Sequence, residues 1–94
     1  MHEEAMLQDL RRKLLEVSAR EGATRVSRVR LWIGALSHLS EPALRREWPR
    51  IVGGTVAESA GLEVTTSTDT SDPRAQGLVL MSIDVEENRS SHVR

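Results

Sequence analysis

Near the start of the chain Leu7, Leu10, Leu14 and Val17 recur at spacings of three and four, with Arg11, Arg12, Lys13 and Glu16 around the other side. That is one apolar stripe of an amphipathic helix. Glu3 and Glu4 suit the positive end of its dipole and Arg20 the negative end. Gly22 is the expected stop, because glycine takes the left-handed conformation without steric penalty. The pattern predicts a helix over 3–21. The period then switches from helical to two. Val29, Leu31 and Ile33 alternate with Arg28, Arg30 and Trp32, a strand with one buried face that Gly34 closes. Val26 falls out of phase, so the strand either begins after it or carries a bulge.

In "ALSHLSEPALRREWPRIV" Ser40 is a good N-cap and Pro42 sits in the first turn, where its missing N–H is not needed. Leu44, Trp48, Ile51 and Val52 continue an apolar stripe, with Trp48 in the core. Pro49 removes one helix hydrogen bond and predicts a kink or break near Trp48. Gly53 and Gly54 end the segment as a turn. Two further strands follow. One sets Leu62, Val64 and Thr66 against Glu63 and Thr65; the other sets Val79, Met81, Ile83 and Val85 against Leu80, Ser82 and Asp84. Between them "STDTSDPRAQ" is loop chemistry, and the closing "NRSSHVR" has no periodicity and is expected to be a flexible tail over 88–94. The order is α-β-α-β-β, an α+β fold with two helices on one face of a three-stranded mixed sheet, forming a single domain over 1–87.

Composition narrows the function classes. The 94 residues include two Trp but no Phe and no Tyr, so the core must be mainly Leu, Val, Ile and Ala. A net charge of −1 gives no electrostatic case for nucleic acid or an anionic membrane. With no cysteine, disulfides, thiolate metal ligands and cysteine nucleophiles are excluded. The acidic, amphipathic start does not resemble a signal peptide, and no stretch approaches the ~18 apolar residues of a membrane span. A soluble cytoplasmic protein is expected.

No catalytic constellation is present: the nucleophile elbow, the phosphate-cradling glycine-lysine loop and the dinucleotide fingerprint are all missing. An enzyme is not expected. The histidines, His2, His38 and His92, are far apart. His38, on the loop before the second helix, reads as an exposed loop residue, with an extra metal ligand approaching the amino terminus as the other reading. Trp32 is either a partner contact or a cover for neighbouring arginine stems. Arg45, Arg46 and Arg50 read as a solvated helix face. The amino terminus is different. A free α-amine, the imidazole of a residue-2 histidine and nearby backbone amides supply several nitrogen donors within three residues, a set suited to tetragonal Ni(II) or Cu(II). A helix beginning at Glu3 leaves its first amides without intrahelical partners. On these residues alone, "MHE" is either such a site or a chance histidine followed by a dipole-complementing acidic pair.

The order of segments resembles the HypA/HybF family of hydrogenase nickel-incorporation proteins. The matching stretches are "MHE", "GATRVSRVRLWIGALSHLSEPALR", "GTVAESAGLEV" and "SIDVEE". The resemblance implies a metallochaperone that binds Ni(II) at Met1, His2 and Glu3, with Glu3 contributing backbone or orientation. It implies delivery toward [NiFe]-hydrogenase, with the hydrogenase large subunit and a nickel-handling maturation GTPase as partners. Family members also carry a zinc domain with paired Cys-x-x-Cys motifs between the second and third strands. Here only the loop at 67–76 stands there, so no zinc is expected and an internal deletion is implied. A second expectation follows from that loss: an interaction or scaffold module that binds a hydrogenase component without handling metal. Self-association through exchange of the last strand is compatible with either.

Overall fold

The computed structural model describes residues 2–87, and the side chains of 3–86. Its elements are α1 (His2–Arg20), β1 (Ala23–Ile33), α2 (Glu41–Val52), β2 (Gly61–Thr66) and β3 (Leu78–Glu87). The sheet order is β2-β1-β3, with β1 parallel to β2 and antiparallel to β3. The expected α+β fold, α-β-α-β-β over a mixed sheet, is the one observed. The expected tail at 88–94 lies outside the described residues.

One core joins the layers. Leu7, Leu10 and Leu14 of α1 and Leu44, Trp48, Ile51 and Val52 of α2 meet Val26, Val29, Leu31 and Ile33 of β1. Both helices therefore cover the same face of the sheet. Gly22 ends α1 with φ 67°, and α1 lies one residue earlier than the 3–21 of the sequence pattern, within the ordinary uncertainty of helix ends. Ser40 caps α2, its hydroxyl accepting from the Ala43 N–H.

Two expectations need correction. Pro49 does not break α2, which runs on to Val52. Ile51 and Val52 are buried beyond it, and that burial holds the last turn despite one missing hydrogen bond. In β3, Val79 and Met81 do not share a face with Ile83 and Val85. Arg30 pairs with Ser82 but Leu31 with Leu80, leaving Met81 as the extra residue of a bulge. The bulge reverses the alternation: Leu78, Leu80, Ile83 and Val85 pack on the core, Val79 lies opposite Trp32, and Met81 is 57% exposed. A second bulge, at Ser27, brings Val26 back into phase, so β1 begins before it and Val26 is fully buried.

The loop at 67–76 docks on the turn after β1. The Ser67 N–H donates to the Ile33 carbonyl, Leu36 N–H to Ala75 and Gly34 N–H to Gly77. Ala75 is buried, and its carbonyl lies where a Cβ on Gly34 would have to go.

Candidate metal-binding terminus

Residues 3–5 at the start of α1 are all exposed; Met6 is half-buried and Leu7 is the first core residue. Apolar packing therefore does not hold the first turn. Electrostatics does, and it treats the two adjacent carboxylates differently. Glu4 reaches α2: Arg50 Nη2 donates to Glu4 Oε1 at 3.0 Å and Nη1 to Oε2 at 3.4 Å. Gln8 Nε2 adds a bond to Glu4 Oε2 at 2.8 Å. Arg50 is itself braced by Glu47, whose Oε1 accepts from Arg50 Nε at 2.9 Å. The hydrogen bonds from Gln8 and then Arg50 lower the Glu4 carboxyl below its usual range, against a small opposing desolvation. Glu4 first and Glu47 second raise Arg50. Glu3 is exposed and pairs with no described residue.

Two helical turns beyond Glu4, Arg11 Nε donates to the Ile51 carbonyl at 3.1 Å, satisfying an end group of α2. The N-terminal half of α1 is thus tied to the C-terminal turn of α2 at Glu4 and Arg11. Arg50 and Arg11 were not legible as tethers in the sequence, because each reaches across some forty positions. The Glu4–Gln8 bond has the i,i+4 spacing and was legible.

Of the predicted metal residues, Glu3 lies in the first turn of α1, while Met1 and the side chain of His2 lie outside the described residues. So does His92. His38 is exposed in the turn region between β1 and α2. Among the described residues no group of three or more His, Cys, Asp or Glu side chains is gathered to hold a metal. The chemistry available at this end is a set of backbone N–H groups that the helix does not use, one exposed carboxylate and one carboxylate already engaged.

The remaining singled-out positions are structural or surface features. Gly54 takes φ 77° in the turn after α2. Trp48 is buried, and its Nε1 has no partner among the described residues. Trp32, half-buried on the outer sheet face, lies under the Arg74 guanidinium, 4.7 Å from its ring centroid. Arg45 pairs with Glu41 on the surface. No helix among the described residues is long and apolar enough to cross a membrane.

Residues 1–71 match the family model for hydrogenase/urease nickel incorporation, metallochaperone, HypA. The hydrogenase maturation factor HypA of Rhizobium leguminosarum bv. viciae is 41% identical over 64 residues, covering 68% of this chain and 57% of that protein. That of Thermococcus kodakarensis is 36% identical over 63 residues, covering 67% and 45%. That of Acidithiobacillus ferrooxidans is 38% identical over 66 residues, covering 70% and 58%. The matched region spans about half the length of these relatives. With three quarters of its length inside the family model, the chain belongs to the HypA family of hydrogenase/urease nickel-incorporation metallochaperones.

Proposed function

We propose that this chain binds Ni(II) as cargo at its amino terminus and carries it in hydrogenase maturation, without itself catalysing a reaction. The donors are the Met1 α-amine, the His2 imidazole and adjacent backbone amides, with Glu3 at the rim. The hydrogenase large subunit and a nickel-handling GTPase are its proposed partners. The observation that carries this reading is the start of α1. The helix begins directly after Met1, leaves its first N–H groups unspent, and holds Glu4 away on Arg50 while Glu3 stays exposed. No competing donor cluster is gathered among the described residues. A planar nitrogen set suits Ni(II), and protons compete for it: the amine titrates near pH ~8 and the imidazole near ~6.5.

Titration of tag-free protein with Ni(II) tests the site. His2→Ala and acetylation of the α-amine should each abolish stoichiometric binding, and affinity should fall steadily between about pH 7.5 and 5.5. Undiminished binding by His2→Ala would remove the terminus from consideration.

A second reading, an interaction module without metal handling, is favoured by one observation. The helices leave the outer face of the sheet open, with Met81 57% exposed on it. Capture of a hydrogenase component by His2→Ala protein, lost on Met81→Asp, would support that reading.

A further inference from the structure

The buried stripe of α1 runs through Leu7, Leu10 and Leu14, and its next member is Ser18, only 2% exposed. The Ser18 hydroxyl turns back on its own helix and donates to the Leu14 carbonyl at 2.7 Å. Ala19, Ala23 and Gly54 beside it are equally small, and side chains this short leave space where α1 passes the turn after α2. The result is a groove of about 430 Å³, open to solvent, with Leu15 and Val56 as apolar walls and Arg11 at one end. Leu15 is half-buried, and Val56 stands out as one of the exposed large apolar side chains. The volume is within the ~300–1,000 Å³ of ligand-binding clefts.

We infer that this groove docks an acidic segment of a partner protein, which sets a carboxylate on Arg11 and an aliphatic side chain over the small residues beyond it. Among the described residues Arg11, Arg20 and Arg46 are the arginines without a carboxylate partner, and of these Arg11 alone is half-buried. Its Nε donates to the Ile51 carbonyl at 3.1 Å, which fixes the guanidinium, while its two terminal nitrogens have no described partner. A fork held in place and left unpaired matches a carboxylate at two points. Being half-buried, it also gains more from an anion than a fully solvated arginine does.

The far wall is rigid before anything binds. The Val56 carbonyl accepts from the Val26 N–H at 2.8 Å. The Thr55 hydroxyl donates to the Val52 carbonyl at 2.6 Å and accepts from the Ala57 N–H at 3.1 Å. A groove formed in advance loses little freedom on association. Along α1 the distance from Arg11 to Ala19 is about 12 Å at 1.5 Å per residue. An extended segment covers that length in about four residues, which sets the spacing between its carboxylate and its aliphatic side chain. The groove lies on the helix side of the sheet, away from Met81, and uses no residue before Arg11. It therefore stands independently of the terminal metal site.

NMR titration of the isotope-labelled chain with the end-capped peptide Glu-Ala-Ala-Ala-Leu tests the proposal. Shifts should gather at Leu15, Ala19, Ala23 and Val56 and at the Arg11 Nε–H. The peptide with Gln in place of Glu should bind about tenfold more weakly, the loss of one charge-assisted pair. In Arg11→Met the two peptides should bind alike, a coupling that a general weakening of the fold would not produce. Ala19→Phe, which fills the groove from an exposed helix position, should abolish binding with the rest of the spectrum unchanged. Absence of binding, shifts outside the groove, or equal affinity of the wild type for both peptides overturns the proposal. So do contacts in the free protein between the Val56 methyls and residues 88–94, which would make the chain's own tail the occupant. Concentration-dependent shifts at the same residues without peptide would assign the groove to a second copy, and likewise overturn it.

Discussion

The guanidinium of Arg74 lies over the indole of Trp32, 4.7 Å from the ring centroid. This joins the loop after β2 to the outer face of the central strand. Asp72 holds the same arginine, its Oδ1 accepting from the Arg74 backbone N–H at 2.7 Å. The aromatic ring thus serves as an anchor point for the eleven-residue connection, 67–77, which is mostly polar. Arg74→Ala should cost about 0.5–1 kcal/mol, the usual worth of an exposed cation–π contact. Trp32→Leu should remove the same increment, and the double variant should show less than the sum in urea unfolding.

Gly34 has a more demanding role. A Cβ there collides with the backbone of Ala75 and Arg74, and backbone cannot yield as a flexible side chain can. Gly34→Ala should therefore destabilise the protein by about 1–3 kcal/mol through overpacking. Gly22→Ala, where a Cβ meets open space but φ is 67°, should cost less, about 1 kcal/mol. Thermal unfolding of the two variants side by side checks the order.

The bulge at Met81 makes a prediction opposite to simple alternation. Met81→Thr should be within about 0.5 kcal/mol of the parent protein. Leu80→Thr, on the core side of the strand, should cost more than 1 kcal/mol through lost apolar burial. If the two costs were reversed in denaturant titrations, the register of β3 would be wrong.

Acid should unfold this protein by releasing its carboxylate partners. Asp84 is lowered chiefly by its hydrogen bonds to Arg30, Asp9 by Lys13 and then Arg12, and Asp72 by the Arg74 N–H. Each such group has a lower pKa folded than unfolded. Its contribution is present above the unfolded value and disappears as pH falls through the folded one. Urea midpoints should hold from pH 7 to about 5 and decline below about 4. Asp84→Asn should flatten that decline a little and lower the midpoint at pH 7 by a matching small amount, since the pair is exposed.

Much of the architecture was readable because one rule at a time governs each segment. The α1 stripe, the Ser40 cap and the Gly22 stop are local signals, and local physics settles them. The β3 alternation misled because Val79, Met81, Ile83 and Val85 fit a regular period, and the bulge comes from pairing with β1, which no local pattern contains. Pro49 misled for a related reason: its cost is local, whereas the compensation is the burial of Ile51 and Val52 in the core. At the terminus the candidate donors Met1, His2 and Glu3 came from the resemblance. The sorting of Glu3 from Glu4 required Arg50, a residue that reads in sequence as one more solvated cation.

The same displaced methionine has a consequence for the protein in a crowded solution. β3 is an outer strand of the sheet, ten residues long, with an unpaired backbone rim on one side. A straight rim of that length is a template on which another chain can crystallise strand by strand into fibrils. The extra residue at Met81 bends it midway, and Asp84 and Glu86 place negative charge along its second half. Deleting Met81 would restore strict alternation, with Leu78, Leu80, Ile83 and Val85 still on the core face, and would turn the bent rim into a straight one on which strands can add.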